Sequence, residues 1–267
     1  MYALITGASS GIGKAFATAL ARDYKCNIVA VSNQEKELKQ VAEELSESYG
    51  VTVYDIFIDL AQPDAADTLY RKCKDIEVDI LINNAGMFFW TLTNELDPKR
   101  LEIMINLHVL TLTKLCRLFG KDMCERASQE QKHKKRYIIN MSSMTTWMAI
   151  PGIQCYNATK AYVLNFSKSL WYEYKPYGVT VTAMTPGAID TPLYGLDSAT
   201  RRKLVKTGIS LTPDKLVKKA IKAAMKGKKQ AMPGWINHLA VPLIKHLPDW
   251  AIFFAMKRFP QYKNLPL

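Results

Sequence analysis

Three polar side chains in one stretch of the sequence have the types and spacing needed to move a proton. Ser143 precedes Tyr156 by thirteen residues, and Lys160 follows Tyr156 by four. Residues four apart share one face of a helix, so Lys160 can place its ammonium group near the Tyr156 hydroxyl. A nearby positive charge lowers the pKa of a tyrosine, whose ordinary value is about 10. Tyr156 would then serve as a general acid or base, with Ser143 holding the oxygen of a carbonyl or alcohol.

A second tyrosine–lysine pair provides an internal control for this spacing. Tyr70 and Lys74 are also four residues apart, but the residue thirteen positions before Tyr70 is Phe57. Phe57 has no hydroxyl and falls inside a predicted strand. The pair alone is therefore weak evidence, and the serine just past the end of a predicted strand is what distinguishes Tyr156.

Asn106 is a fourth polar residue that could belong to the same site. It falls in the middle of a predicted helix, a position that asparagine does not favour by propensity. Two interpretations are open from the residues alone. Asn106 is either a partly buried amide satisfied by local hydrogen bonds or the anchor of a water molecule that leads to Lys160.

Short apolar segments of strand composition alternate with helical patterns along the chain. The predicted strands are 2–6, 27–32, 52–58, 80–83, 137–141 and 179–185, with a short seventh at 230–232. The predicted helices are 11–23, 34–48, 62–74, 97–125, 154–175 and 213–226. This alternation, with strands that are apolar almost throughout, predicts a parallel sheet covered on both faces, either open or closed into a barrel.

The turn after the first predicted strand favours an open, doubly wound α/β sheet over the barrel. It reads TGASSGIG from Thr6 to Gly13 and leads directly into a helix. Glycines at such a turn let backbone N–H groups approach a pyrophosphate, and the helix N-terminus favours negative charge. A glycine pattern alone is weak, but further motifs follow the later strands, at the edge where open parallel sheets bind ligands. The predicted dinucleotide-binding residues are Gly7, Ser9, Ser10, Gly11, Ile12, Gly13, Ser32, Asn33, Asp59, Leu60, Asn83, Ala85, Gly86, Tyr156, Lys160, Pro186, Gly187, Ile189 and Thr191.

These motifs together make the chain resemble the short-chain dehydrogenase/reductase family. The resemblance rests on TGASSGIG, NNAG at 83–86, YNATK at 156–160 and PGAIDT at 186–191, in the family's order and spacing. It implies a single Rossmann-like three-layer α/β/α domain over 1–234 and hydride transfer between a nicotinamide and a carbonyl or alcohol carbon. It also implies that Lys160 contacts the ribose hydroxyls, and that a catalytic tetrad is formed by Asn106, Ser143, Tyr156 and Lys160.

The end of the second predicted strand is the position that usually separates NAD from NADP. An acid there would hold the ribose hydroxyls and repel a 2′-phosphate. Ser32 and Asn33 occupy this position, no arginine accompanies them, and the nearest carboxylate is Glu35. Because Ser32 and Asn33 can donate hydrogen bonds to a phosphate and Lys14 can supply charge, the sequence favours NADP(H) over NAD(H).

Apolar residues near the motifs predict a bulky, hydrophobic ketone or alcohol as substrate, such as a 3-oxoacyl chain, a long-chain keto base or a steroid. They are Met87, Phe88, Phe89, Trp90, Met144, Trp147 and Met148. The segment SSMTTW departs from the family, which often has a glycine shortly after the serine. Thr145 and Thr146 are expected to alter the pocket wall and not the proton chemistry. A substrate loop is predicted at 188–213, with Leu193, Tyr194 and Leu196 before it turns basic.

The C-terminal extension, 235–267, is rich in apolar and aromatic residues. Pro242, Pro248 and Pro260 interrupt it, so it is too broken to span a bilayer. Three roles remain open for it. It packs on the domain or on a partner subunit, forms a lid over an apolar pocket, or makes a peripheral contact with a membrane surface.

Positive charge is concentrated in one segment of the chain. Residues 201–229 hold eleven lysines and arginines against one acid, while the whole chain has a formal net charge of +12. A solvated helix face is the simpler interpretation, and a docking surface for an anionic carrier or an anionic membrane is the sharper one. Nucleic-acid binding is disfavoured, because the charge is confined and few aromatic residues are interleaved with it.

Length and residue usage exclude several other classes of protein. The 267 residues fit one large α/β domain, and the five scattered cysteines predict a reducing, cytoplasmic setting rather than a disulfide framework. Neither the cysteines nor the four histidines show metal-ligand spacing, no signal peptide is visible, and no apolar run of about 18 residues is present. The family resemblance implies a homodimer or homotetramer through the helices at 97–125 and 154–175. A non-catalytic nucleotide-binding protein on the same fold is the alternative, against which the intact tetrad argues.

Overall fold

Seven parallel strands form the central sheet of the computed structural model, which describes residues 1–130, 134–195, 197–258 and 262. The strands are β1 (Tyr2–Thr6), β2 (Asn27–Ser32), β3 (Val53–Phe57), β4 (Val78–Asn83), β5 (Arg136–Met141), β6 (Val179–Met184) and β7 (Gln230–Ala231). Their order in the sheet is β3-β2-β1-β4-β5-β6-β7, and every neighbouring pair is parallel. The predicted open, doubly wound sheet is confirmed.

Ten α-helices occur within the described part of the chain. They are α1 (Gly11–Tyr24), α2 (Glu35–Tyr49), α3 (Ala65–Lys72), α4 (Pro98–Ile105), α5 (Leu112–Gln129), α6 (Gln154–Tyr174), α7 (Ser198–Lys206), α8 (Pro213–Met225), α9 (Trp235–Lys245) and α10 (Asp249–Arg258). The six predicted helical segments are all present, whereas α7 falls inside the predicted substrate loop.

The sheet is buried on both faces, and this explains why its strands are apolar without alternation. Ala3, Leu4 and Ile5 of β1 are each completely buried. Ala3 and Ile5 belong to a core layer that includes residues of α1, α2 and α8. Leu4 belongs to the opposite layer, with residues of α3, α5 and α6. The molecule is therefore the predicted three-layer α/β/α domain.

One long helix crosses the second layer. α4, a π-helical turn at Asn106–Thr111 and α5 run continuously from Pro98 to Gln129. Asp97 caps its beginning by accepting a hydrogen bond from the Lys99 N–H, and Pro98 occupies the first helical position. Within the described ranges this is the single continuous helix with the length and composition to cross a membrane. It packs against α3 and β4, as the core helix of a domain does.

The C-terminal extension forms two helices that bend by 108° relative to each other. The inner side of α9 packs on the domain, where Asn237 lies against Gly187 and Ile236 lies near Gly208. The Tyr262 hydroxyl donates a hydrogen bond of 3.0 Å to the Pro151 carbonyl. The rest of the tail, 259–261 and 263–267, lies outside the described residues, as does Leu196 of the substrate loop.

Candidate active site

A cleft of about 570 Å³ opens where the carboxyl ends of the strands meet. Strand order reverses direction between β1 and β4, and such a switch point leaves a crevice in an open parallel sheet. The walls come from the turn after β1, the ends of β2 and β3, the loop after β4, the end of β5, α6 and the loop after β6. Six strand ends thus contribute to one concave surface.

The turn between β1 and α1 has the geometry of an anion cradle. Gly7 has a φ of +68° and Gly11 a φ of +53°, which other residues rarely adopt. A Cβ on Gly13 would lie 1.9 Å from the Gly7 carbonyl oxygen, so the start of α1 approaches the turn more closely than any side chain allows. The Ser10 side chain makes no capping hydrogen bond at the start of α1. The first-turn N–H groups therefore lack a side-chain cap, as an anion-binding helix N-terminus requires.

Three uncharged side chains form a network at the end of β2. The Ser9 hydroxyl donates to Gln34 Oε1 at 2.7 Å and lies 2.8 Å from the Ser32 hydroxyl. The Gln34 N–H donates to Ser32 Oγ at 3.2 Å. None of the three carries a carboxylate, which keeps the end of β2 compatible with a 2′-phosphate, and the carboxylate in the cleft lining is that of Asp59, beyond the end of β3. Lys14 does not line it, because its ammonium group pairs with Glu44 at 2.6 Å.

Tyr156 and Lys160 lie on the same face of α6, and both line the cleft. The Lys160 Nζ is 5.6 Å from the centre of the Tyr156 ring and donates to the Met141 carbonyl at 2.9 Å. Burial lowers the pKa of Lys160 from 10.5 to about 8. At pH 7 the side chain is still mostly protonated, so its positive charge is present beside the phenol.

Ser143 lines the cleft just beyond the end of β5. Its Oγ accepts hydrogen bonds from the Thr145 N–H at 3.2 Å and from the Thr145 hydroxyl at 3.0 Å. A serine hydroxyl has two acceptor sites and one proton. With both acceptor sites filled, the Ser143 hydroxyl can still donate its own proton. The strand is tied to α6 by the Ser142 hydroxyl, which donates to the Lys160 carbonyl at 2.7 Å.

An apolar cluster surrounds the Tyr156 ring. Phe88 contacts it edge to face, with ring centres 5.1 Å apart, and Phe89, Met104 and Ile153 complete the buried cluster. Of the residues predicted to form the substrate pocket, Met87 lines the cleft itself. Ile103, Leu107 and Leu193 add further apolar surface to its lining.

Comparisons with known proteins agree with this geometry. The family model described as short chain dehydrogenase matches residues 1–202. The chain belongs to the short-chain dehydrogenase family. It is 32% identical over 254 residues to the very-long-chain 3-oxoacyl-CoA reductase of Homo sapiens, covering 93% of this chain and 76% of that protein.

Two solved structures extend the comparison of this short-chain dehydrogenase to the whole fold. One, described for 7β-hydroxysteroid dehydrogenase stereoselectivity, has a TM-score of 0.83 and 28% identity, with 95% of each chain covered. The other is a short-chain dehydrogenase from Sphingobium yanoikuyae in complex with NADPH, with a TM-score of 0.78 and 28% identity. It covers 97% of this chain and 96% of that one. This short-chain dehydrogenase is accordingly an oxidoreductase that acts on CH–OH groups, in a family that binds NAD(P).

Most residues predicted for the dinucleotide site of this short-chain dehydrogenase line the cleft. The two that do not are Gly13 and Asn83. Gly13 instead lies against the Gly7 carbonyl, as described above. Asn83 is buried at the end of β4, where its amide donates to Asn140 Oδ1 at 2.8 Å. Both residues lie behind the cleft lining and contact the elements that form it.

Asn106 is the third predicted residue that is absent from the cleft lining. It is half-buried at the start of the π-helical turn, two residues before the fully buried His108. The imidazole of His108 lies edge to face with Tyr156, with ring centres 5.8 Å apart. His108 is thus a polar side chain of this helix in ring contact with Tyr156. The tetrad that includes Asn106 stays a prediction.

Several lining residues were not singled out in the sequence, among them Gln34, Asn84, Met141 and Ser142. Asn84 belongs to the NNAG motif, and its side chain donates to the Thr6 carbonyl at 3.0 Å. Motif membership was a usable signal for Asn84. His108 had no such signal, because it lies outside the motifs of the sequence.

Proposed function

We propose that this short-chain dehydrogenase interconverts a bulky hydrophobic ketone and its secondary alcohol, with NADP(H) as cofactor. The observation that carries the proposal is the convergence of Ser143, Tyr156 and Lys160 on the cleft that also holds the glycine cradle. Proton-transfer groups and a dinucleotide-shaped surface thus share one cavity.

The residues have separable roles in this proposal. The nicotinamide, when bound, supplies or accepts the hydride. Ser143 donates its free proton to the substrate oxygen and orients it. Tyr156 delivers a proton to that oxygen during reduction and removes it during oxidation. The cationic Lys160 favours the phenolate form of Tyr156, and the turn 7–13, Ser32 and Asn33 hold the phosphate and ribose groups.

NADP(H) is the cofactor we propose, because the corner after β2 offers hydroxyl and amide groups and no carboxylate. The NADPH complex of the Sphingobium yanoikuyae relative supports this choice. The apolar lining of the cleft mouth, from Met87, Ile103, Leu107 and Leu193, supports a hydrophobic substrate. The names of the relatives, a 3-oxoacyl-CoA reductase and a 7β-hydroxysteroid dehydrogenase, are consistent with acyl and steroid ketones.

A direct assay of cofactor oxidation tests the activity. Purified enzyme is mixed with NADPH or NADH and a panel of 3-oxoacyl thioesters, long-chain keto bases and steroid ketones, and cofactor oxidation is followed. We expect turnover of at least one class, with kcat/KM about tenfold or more higher for NADPH. Tyr156→Phe is expected to lower kcat by a factor of about 100 or more, because the proton donor is lost.

Tyr70→Phe is the matched control, because Tyr70 and Lys74 repeat the spacing away from the cleft. The Tyr70 hydroxyl bonds Asp122 at 2.8 Å and is not part of the lining. Its removal is expected to leave kcat within twofold. Equal losses in the two variants, or no turnover with either cofactor, would contradict the proposal.

The C-terminal extension is proposed as a peripheral membrane contact. The outer side of α9 carries exposed apolar side chains, because Trp235, Leu239 and Leu243 are 66–72% exposed. Trp250, Phe253 and Phe254 of α10 are at least half exposed as well. Contiguous exposed apolar side chains of this kind mark a site of contact with protein or membrane. Lys245, Lys257 and Arg258, against the single acid Asp249, favour an anionic lipid surface.

Vesicle flotation tests this contact. The protein is expected to float with anionic phosphatidylserine vesicles, less so at high salt, and the double variant Leu239→Ser/Leu243→Ser is expected to stay in solution. Tyr172→Ser, which removes an aromatic side chain of 61% exposure outside the extension, should float normally. If the parent does not float and instead sediments as an oligomer that the double variant dissociates, the surface is a protein interface.

A homodimer is proposed across the face formed by α5, the π turn and α6. Leu110 and Tyr162 are exposed there, and Tyr162 stacks on Phe166 with ring centres 5.7 Å apart. Leu110→Lys would place a charge in that interface. Sedimentation velocity should show a dimer for the parent and a monomer for the variant, and a parent that is monomeric would refute the assignment.

A further inference from the structure

His108 lies behind the wall of the cleft and connects two parts of the candidate site. It is 1% exposed and comes from the π-helical turn of the long helix. One side of its ring faces the loop after β4, and the other faces α6. Neither the sequence motifs nor the proposed proton transfer uses this residue.

The hydrogen bonds of His108 define a chain with a single direction. Its Nε2 lies 2.9 Å from the Met87 N–H, which can only donate, so Nε2 is the acceptor and carries no proton. The proton of the neutral ring is therefore on Nδ1, which lies 3.0 Å from Thr159 Oγ1. The Thr159 hydroxyl in turn donates to the Tyr156 carbonyl at 2.8 Å. The chain links Met87, which lines the cleft, to the backbone of the proposed acid.

Gly86 provides the space that this arrangement needs. A Cβ at that position would lie 3.1 Å from His108 Nε2, closer than side-chain carbons normally approach. The glycine of the NNAG motif and the imidazole therefore fit each other. Replacing either one alters the same contact between the loop and the ring.

The surroundings keep the imidazole neutral. Lys160 is the charged group that faces it from α6, Tyr156 contacts its ring, and the loop after β4 contributes the Met87 N–H. Burial, and then the charge of Lys160, hold the pKa of His108 well below its ordinary value. A protonated ring would turn a second N–H toward the Met87 N–H and break the chain.

We propose that His108 is a positioning residue, whose Nδ1-protonated imidazole locks the loop after β4 to the catalytic helix. The lock sets the distance between the Tyr156 hydroxyl and the part of the cleft lined by Gly86 and Met87. The kinetic part of this inference rests on the proposed function, whereas the hydrogen-bond chain does not. An imidazole suits the role because it carries one acceptor and one donor on opposite sides of a rigid ring.

The tautomer can be observed without any activity. The parent protein is prepared with nitrogen-labelled histidine, and its ring nitrogens are recorded by NMR between pH 5 and pH 8. One histidine is expected to remain neutral with its proton on Nδ1 over the whole range. That signal should be absent from His108→Gln. A His108 that carries its proton on Nε2, or that titrates within this range, would overturn the lock.

Kinetics of four variants test the positional role. His108→Leu and Thr159→Val each break the chain, and the double variant should lose no more than the worse single one, because one linkage is removed only once. His108→Gln retains an acceptor and a donor at similar reach and should recover most of the activity. We expect kcat to fall about 10- to 100-fold in His108→Leu, since small displacements of reacting groups have effects of this size.

Ser167→Ala is the stability control. Ser167 is equally buried in α6, bonds the Asn140 amide at 2.9 Å and lies outside the cleft lining. It should lower the melting temperature without changing kcat. The proposal fails if the fall in kcat of His108→Leu is explained by a loss of melting temperature comparable to that of Ser167→Ala. It also fails if the effects of His108→Leu and Thr159→Val on kcat are additive in the double variant. A parent that shows the expected tautomer but no turnover would refute the proposed function and leave the lock standing.

Discussion

At the scale of single residues, the hydroxyl of Thr145 changes the expected role of its segment. The sequence predicted an effect on the pocket wall alone, but Thr145 bonds Ser143 Oγ through both its N–H and its hydroxyl. The second of these bonds uses the proton of the Thr145 hydroxyl, so Ser143 can still donate its own proton. Thr145 is therefore expected to affect the proposed proton transfer through Ser143.

Thr145→Val tests this contact, because valine keeps the shape and removes the hydroxyl. One lost hydrogen bond of about 1 kcal/mol corresponds to a fall in kcat of about fivefold. Thr146→Val is the matched control, since the Thr146 hydroxyl bonds the Ser143 carbonyl instead, at 2.9 Å. Steady-state kinetics that show equal effects, or none, would reject the assignment.

The buried Lys160 predicts a pH dependence of stability. Its pKa in the folded protein, about 8, is below the ordinary 10.5 because burial disfavours the charge. Below pH 8 both states are charged and the folded state carries the full cost. Between pH 8 and 10.5 the unfolded state binds more protons, so stability rises with pH and the cost disappears.

Lys160→Met should therefore be more stable than the parent at pH 7, by about 3 kcal/mol at most. The difference is expected to shrink as the pH rises toward 10.5. Urea unfolding of both proteins in the absence of cofactor measures it. A difference that stays constant over this range would show that Lys160 is not desolvated in the folded state.

At the scale of elements, the contact between the β1 turn and α1 decides the shape of the cradle. Gly13→Ala would force a Cβ against the Gly7 carbonyl, so α1 must shift away from the sheet. We expect a loss of about 2 kcal/mol or more in the free energy of unfolding, together with weaker NADPH binding. Denaturation and fluorescence titration measure the two effects.

Gly50→Ala is the control for Gly13→Ala. It introduces backbone strain without a new steric contact. Gly50 ends α2 with a φ of +65° and has open space around its Cβ position. Its substitution should cost about 1 kcal/mol and leave NADPH affinity unchanged. Equal losses of NADPH affinity in the two variants would indicate a general loosening of the layer.

At the scale of the whole molecule, the two ends of the parallel strands have different roles. The carboxyl ends form the cleft, and a cluster of charges around Asp79 lies at the amino ends. Asp79 is 1% exposed and pairs with Arg126 at 3.3 Å and Lys134 at 2.8 Å. Arg136, equally buried, lies 3.7 Å from it and also pairs with Glu130.

Asp79→Leu would leave buried positive charge without its carboxylate. The expected loss is about 3–5 kcal/mol in the free energy of unfolding, with kcat of the remaining folded enzyme unchanged. Glu125→Gln, which removes an exposed pair with Lys121, should cost less than about 1 kcal/mol. Urea denaturation compares the two variants. A loss of kcat in Asp79→Leu would show that the charge cluster at the amino ends of the strands affects the cleft at their carboxyl ends.

The sequence by itself was sufficient to predict the strands of the sheet and most of the residues singled out for the cleft. β1 and β2 begin and end where they were predicted, because a strand buried on both faces is apolar throughout and the turns that bound it are polar or rich in glycine. Helix α7 was missed because it is short, mostly polar and has no buried residue. α9 was missed because Pro242 lies inside it and interrupts the helical pattern.

Only the tertiary structure decided that His108 lies beside Tyr156. The tetrad with Asn106 stays a prediction, and the fold buries His108, two residues further along the helix, against the loop after β4 and α6. The physical reason is helical phase. A π-helical turn winds more residues into one revolution, so the side chain that points inward depends on packing that local periodicity does not contain.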